Sequence, residues 1–381
     1  MLIPKANSLL PAIYTHRVFS LGSLSTEILG FGLAFTLSLL TIIFWKKLGK
    51  AKWNFVFGRI VVLILIQVIT LSSIGIAINR SGEFYSNWDD LLGNSKNLTS
   101  VAIQPNSLAQ ISSLDISSAK STPGGSLIIR KIIKGLNSKI SDVVYIVLPP
   151  KIVKLLKENP LAPTIGNDYQ ILELFSGYPG VPQTWIGSMK GIKTLEELEN
   201  VDKIRNTIAI IPTMNVFPRR DTECLNFTSG PQVETWLTTD MKVFAQRFLG
   251  IDNRPWASIG YSTGGWCATE VAVRHQEQYS RAVSMSGYFK PLFATGVKKK
   301  TRNLLALEYD LVHTLNSAST QLKLLIFAGK DDPFAWKAAH NFMSSLDPSI
   351  AVTFIPIPYG GHNTKTWITF ETPAFQWIND N

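Results

Sequence analysis

Cysteine is nearly missing from this chain, with two in 381 residues, Cys224 and Cys267. At most one intrachain disulfide can form, so the fold must rest on apolar burial. Histidine is scarce as well, at five, so few positions can supply an imidazole base. Charged residues make up only 17% of the chain. No internal repeat and no nucleic-acid-binding module is present. The net charge of +10 does not change this, because a good part of it lies in one short segment and the rest is scattered. No nucleic-acid partner is expected.

Long apolar runs are present, and there are two. Ile28 to Phe44 and Ile60 to Ile78 are almost uncharged and near the ~20 residues a helix needs to cross a bilayer. The first run sits well inside the chain, lacks a small-residue cleavage site and is soon followed by the second, unlike a cleaved signal. Two transmembrane helices are expected, at about 25–45 and 58–79, within a membrane region of residues 1–81. Between them "WKKLGKAKWNFVFGR" carries Lys46, Lys47, Lys50, Lys52 and Arg59. The positive-inside rule puts that loop in the cytoplasm and everything after about Asn79 outside. The expected location is therefore the cytoplasmic membrane, multi-pass, with the remaining chain extracytoplasmic. There Cys224 and Cys267 either form a disulfide or remain two buried thiols. Residues 94–124 are rich in serine, asparagine and small residues, and residues 82–124 read as a linker.

From residue 125 to 381 strand and helix patterns alternate. "SLIIRKIIKGL" and "DVVYIVLPP" suggest an antiparallel pair. "YQILELF", "TIAIIP", "WASIG", "RAVSMSG", "LKLLIFAG" and "VTFIPIP" follow. Most are short continuous apolar runs, as in strands covered on both faces by helices. The expected fold is α/β with a mainly parallel central sheet flanked by helices, of the α/β-hydrolase type.

Reactive loops of such a sheet collect at the carboxyl ends of its strands. In "WASIGYSTGG", Ser262 is framed by Gly260, Gly264 and Gly265, the pattern of a sharp strand-to-helix turn that exposes a serine hydroxyl. The helix is expected to run from Thr263 to Gln278. "LKLLIFAG" leads into "KDDPF" and "VTFIPIP" into "YGGHN", so serine, acid and histidine follow strand ends in the order of an α/β hydrolase. A serine hydroxyl needs a base, and an imidazole needs a carboxylate to hold its tautomer. His362 is the expected base. His16 lies before the first apolar run, His275 late on the helix after Ser262, and His313 and His340 in helical patterns. Asp332 is the preferred acid because it directly precedes Pro333, with Asp331 as the alternative. The adjacent carboxylates have no third ligand nearby in sequence, so no metal is expected, and no cofactor. The oxyanion would be held by the backbone N–H of Thr263 and by that of Tyr178 in "SGYPG", with Gly177 as fallback and Pro179 excluded as a donor.

"YQILELFSGYPGVPQTW", "RRDTECLNFTSGPQVETWLTTDM", "GYSTGGWCATEVAV", "YSRAVSMSGYF" and "PYGGHNTKTW" together resemble the esterase D-like family of α/β hydrolases. The nearest branch holds the antigen 85 type mycolyltransferases and membrane-anchored actinobacterial relatives. The resemblance covers about Gly125 onward and implies Ser262 as nucleophile, His362 as base, an acid in "KDDP" and oxyanion donors near Tyr178 and Thr263. The chain departs from the secreted mycolyltransferases in having apolar spans for a cleaved signal and "KDDP" where they use a glutamate. It shows no recognisable trehalose-binding residues. The reading is a membrane-anchored serine esterase or acyltransferase acting on a small-molecule or lipid-like ester. A non-catalytic cell-envelope binding module on the same fold is the alternative. The "RRDTEC" charges, Arg219, Arg220, Asp221 and Glu223, read as a local network, and Trp185, Trp266 and Trp367 lie in the motif loops.

Overall fold

The computed structural model describes residues 24–46, 53–82, 100–101, 119–158, 168–217, 221–293, 297–317 and 320–381. The chain divides into two compact units, Met1–Ser95 and Lys96–Asn381.

The first unit is a pair of helices, α1 (Leu24–Phe44) and α2 (Trp53–Gly82). Both are long and apolar enough to cross a membrane, over Ser25–Phe44 and Phe57–Asn79. Their large apolar side chains, including Phe35, Ile42 and Leu71, mostly point away from the partner helix and stay exposed. The helices meet through small residues: a Cβ on Gly30 would lie 2.3 Å from Ser73 Oγ, so glycine eases this approach. Thr36, Ser38, Thr41, Thr70 and Ser73 each donate to the carbonyl four residues back, which satisfies their hydroxyls within the helix. Lys47, Lys50 and Lys52 of the basic loop lie outside the described residues, as does His16. At the described end of that loop the Arg59 guanidinium donates to the Trp45 carbonyl at 2.9 Å.

The second unit is built on one sheet: β1 (Ser100–Val101), β2 (Lys120–Ser121), β3 (Leu127–Lys134), β4 (Ser141–Leu148), β5 (Gln170–Phe175), β6 (Thr207–Pro212), β7 (Trp256–Tyr261), β8 (Tyr279–Met285), β9 (Lys323–Gly329) and β10 (Val352–Ile357). Its order is β1-β3-β4-β6-β5-β7-β8-β9-β10, with β2 also on β3. Pairing is antiparallel from β3 through β4 to β6 and parallel from β6 to β10. The eight runs anticipated from sequence are all strands, with the antiparallel pair first. The two short strands β1 and β2 fall inside the stretch read as a linker, whose other residues between 83 and 118 lie outside the described set.

Strands β5, β6 and β7 are buried at every position, as their unbroken apolar runs require when helices cover both faces. The covering helices are α3 (Pro150–Glu158), α4 (Gln183–Ile186), α5 (Gly191–Asn200), α6 (Val233–Thr235), a π turn over Trp236–Asp240, α7 (Met241–Leu249), α8 (Thr263–Arg274), α9 (Lys299–Glu308), α10 (Leu311–Asn316), α11 (Pro333–Ser344) and α12 (Thr364–Asp380). One core joins Ile208 and Ile210 to Trp266 and Val271 of α8 and Phe342 of α11. The other joins Leu172, Ile259 and Phe327 to Leu195 of α5 and Phe370 of α12.

Several carboxyls are built into these cores. Glu173 on β5 accepts the Tyr279 hydroxyl at 2.6 Å, Glu199 on α5 accepts the Thr207 N–H at 2.6 Å, and Glu371 on α12 accepts the Thr194 hydroxyl at 2.7 Å. Burial outweighs these bonds and pushes each from 4.5 to about 8. In the unfolded chain they ionise near 4.5, so between 4.5 and 8 the folded state holds protons that the unfolded state has released. The stability they contribute is complete below the unfolded value and is lost as pH rises through about 8. Thermal denaturation of the detergent-solubilised chain should therefore give a melting temperature that falls steadily from pH 5 to pH 9. A flat or rising profile would contradict this account.

Candidate active site

The chain leaves β7 and enters α8 in a single residue. Ser262 makes the turn with φ 56° and ψ −124°, a left-handed backbone that costs a non-glycine residue about 1–3 kcal/mol. Its N–H donates to the Met285 carbonyl at 2.9 Å, tying the turn to the end of β8. The flanking glycines leave no room for side chains. A Cβ on Gly260 would lie 2.0 Å from the Gly264 carbonyl oxygen, and one on Gly264 would lie 2.2 Å from the Phe175 carbonyl oxygen. The first turn of α8 thus rests directly on the ends of β7 and β5, and Ser262 lies just past the carboxyl end of β7.

His362 reaches it from the loop after β10. That loop can approach because a Cβ on Gly329 would lie 2.1 Å from the Gly360 carbonyl oxygen, and because Gly360 takes φ 117°. Asn363 then caps α12, its side chain accepting the Thr366 N–H at 3.1 Å. His362 Nε2 lies 2.8 Å from Ser262 Oγ, and its Nδ1 lies 2.6 Å from Asp332 Oδ2. The edge of the imidazole meets Trp367, with ring centroids 5.1 Å apart. The histidine side chain remains 38% exposed whereas the aspartate is 2% exposed, so solvent can reach the ring but not the acid behind it.

Asp332 is fixed twice. It caps α11, Oδ1 accepting the Ala335 N–H at 3.1 Å, and Pro333 follows where a missing N–H costs nothing. Burial favours its neutral form, but the hydrogen bonds from His362 and Ala335 prevail and hold its carboxyl below the usual range. It stays ionised at neutral pH. Asp331 serves the loop instead, where its Oδ2 accepts the Gly360 N–H at 3.1 Å and braces the approach of the histidine. Of the two carboxylates weighed from sequence, the structure brings Asp332 to the histidine.

The loop after β5 closes the site on the other side. β5 and β7 pair in parallel, which places Gly177 beside the serine: a Cβ on it would lie 3.1 Å from Ser262 Cβ. Tyr178 follows directly. Thr263 opens α8, where an N–H has no carbonyl partner within the helix and the helix dipole favours negative charge.

Cys224 and Cys267 are joined, with Cα atoms 5.8 Å apart and a sequence separation of 43. The bridge staples the segment after β6 to α8. α8 stops at Arg274, four residues short of the expected Gln278. His275 ends it by pairing with Glu234 at 2.8 Å, and the turn into β8 begins there. His313 and His340 lie on α10 and α11, as read. Trp185 and Trp266 are fully buried core residues, and Trp367 alone of the three meets the histidine. Arg219 and Arg220 lie outside the described residues. Sequence reasoning missed Tyr288, whose hydroxyl lies 3.1 Å from Thr263 Oγ1, because no spacing marks it. Among the described residues, no cluster of three His, Cys, Asp or Glu side chains could hold a metal.

No family model matches the chain. An uncharacterised protein of Corynebacterium glutamicum is 23% identical over 229 residues, covering 55% of this chain and 52% of its own length, so the chain spans about half of that relative. Among solved structures, an S-formylglutathione hydrolase from Agrobacterium tumefaciens matches with TM-score 0.55 and 16% identity over 69% of this chain and 98% of its own. An S-formylglutathione hydrolase of Staphylococcus aureus gives 0.55 and 18% over 66% and 98%, and a ferulic acid esterase 0.54 and 15% over 67% and 98%. The second unit has the α/β-hydrolase fold of these esterases.

If the close approach of α8 to β5 sets the site, Gly264→Ala must push strand and helix apart. We expect it to destabilise the domain by about 1–3 kcal/mol, read as a lowered melting temperature. An unchanged value would show that the contact is not rigid.

Proposed function

We propose that the second unit is a serine esterase or acyltransferase working through an acyl-enzyme. The observation that carries this reading is the unbroken hydrogen-bonded chain from Ser262 Oγ through both nitrogens of His362 to Asp332, at 2.8 and 2.6 Å. His362 Nε2 takes the serine proton as Oγ bonds to the ester carbonyl carbon. The resulting oxyanion rests on the N–H groups of Thr263 and Tyr178. Collapse of this intermediate breaks the bond to the alcohol oxygen, which leaves with the proton from Nε2. Water or a second alcohol then gives its proton to Nε2 and attacks the acyl-enzyme. Collapse of the second intermediate returns that proton to Ser262 and releases an acid or a new ester. Asp332 holds the Nδ1 proton throughout and balances the imidazolium charge.

The acyl donor in this proposal is lipid-like or belongs to the cell envelope, and transfer resembling that of mycolyltransferases is included. Two apolar helices in the same chain support membrane anchoring, and the lysine-rich segment between them supports an extracytoplasmic domain, as does the disulfide.

The test is turnover of short- and medium-chain p-nitrophenyl esters by the purified chain. Ser262→Ala should abolish hydrolysis. Asp332→Asn should lower kcat by roughly 10⁴-fold by mispositioning the imidazole proton, whereas Asp331→Asn should stay within about tenfold of the native chain, since its amide oxygen can still accept the Gly360 N–H. Equal losses at both aspartates would undo the assignment of the acid. Unchanged turnover in Ser262→Ala would undo the mechanism.

A further inference from the structure

Behind the nucleophile turn lies a buried hub that the acyl-transfer scheme does not use. Glu223 belongs to the segment after β6 and is 2% exposed. Its Oε1 accepts the Phe293 N–H at 2.7 Å, and its Oε2 lies 2.8 Å from the Tyr288 hydroxyl. That hydroxyl in turn lies 3.1 Å from Thr263 Oγ1. With one proton, the tyrosine donates to one of these neighbours and accepts from the other. The backbone closes the same circuit: the Glu223 carbonyl accepts the Trp266 indole N–H at 2.9 Å, and Trp266 stacks on Tyr288 with an interplanar angle of 8°. Cys224, the next residue, carries the disulfide to Cys267.

Three attachments therefore run from Glu223 and Cys224 to the first turns of α8, and one of them ends on the residue next to the nucleophile. Left-handed backbones gather at this hub, with φ of 51° at Glu223, 64° at Cys224 and 54° at Phe293. Strain of this kind persists only where the surroundings over-determine it, and it concentrates where geometry matters for function. A buried carboxyl is also costly, and an apolar side chain of like volume would serve a purely structural purpose as well.

We propose that Glu223 is a positioning residue for acyl transfer: through Tyr288 it fixes the Thr263 side chain, and so keeps the Thr263 N–H aimed at the oxyanion. The inference rests on the esterase reading above. It differs from a stability role in what it changes. A donor displaced by a fraction of an ångström binds the ground-state ester almost as before but loses transition-state stabilisation. Burial and the neighbouring Asp221 push Glu223 up to about 8, so at neutral pH the hub carries no full negative charge beside the oxyanion.

The experiment uses the full chain in detergent with a p-nitrophenyl ester at pH 7. Tyr288→Phe and Thr263→Ala each cut the circuit with little change in volume. Each should lower kcat about tenfold while KM stays within about twofold. Glu223→Ala should do the same, and Glu223→Gln, which retains a hydrogen-bonding oxygen and nitrogen, should recover most of kcat. Glu223→Ala combined with Tyr288→Phe should be no worse than the more damaging single change, because both break one chain. Unchanged kcat in Tyr288→Phe and Thr263→Ala overturns the proposal while leaving the esterase reading intact, as does full additivity in the double variant. A folded native chain that turns over no ester overturns both.

Discussion

The site depends on one strained residue. Ser262 occupies a backbone region that a serine does not choose, and the surrounding contacts are what hold it there. Gly260 lets the end of β7 touch the first turn of α8, and Gly264 lets that turn rest on the carbonyl end of β5. The hydrogen bond from the Ser262 N–H to Met285 adds β8. Three adjacent parallel strands therefore converge on one turn. That convergence also sets the serine beside Gly177, since β5 and β7 are sheet neighbours.

His362 and Asp332 arrive by a separate device that uses the same principle. Gly329 and Gly360 permit two loops to touch, Asp331 ties them with a hydrogen bond, and caps on α11 and α12 fix the residues that flank them. Asp332 serves as helix cap and histidine partner at once, one oxygen for each. A short polar residue before a proline is a helix-start signal for backbone reasons. Here the same placement buries a carboxylate under an imidazole.

Much of this was legible in the sequence because glycines and apolar runs report local constraints. The run "WASIGYSTGG" announces the turn, and the eight strand runs fix the sheet's order of appearance. The preference for Asp332 over Asp331 followed from Pro333. Other features were not legible, for physical reasons. The partnership of Cys224 with Cys267 depends on how the segment after β6 crosses α8, which no local pattern encodes. The shortening of α8 to Arg274 follows from the tertiary pairing of His275 with Glu234, since propensity alone favours continuing. From sequence the "RRDTEC" charges read as a local network, whereas Glu223 is turned inward toward Tyr288. Charge on a loop usually signals a solvated face, and only the fold reveals an exception. Trp185 and Trp266, expected in the motif loops, likewise lie on α4 and α8 and pack into the core.

The central claim is that Ser262 is an activated nucleophile. The most direct measurement is treatment of the detergent-solubilised chain with a fluorophosphonate, followed by proteolysis and mass spectrometry to place the adduct, with His362→Ala as control. The account predicts one stoichiometric adduct, on Ser262, lost in the control. A folded native chain without an adduct, or with the adduct on another residue, would contradict it.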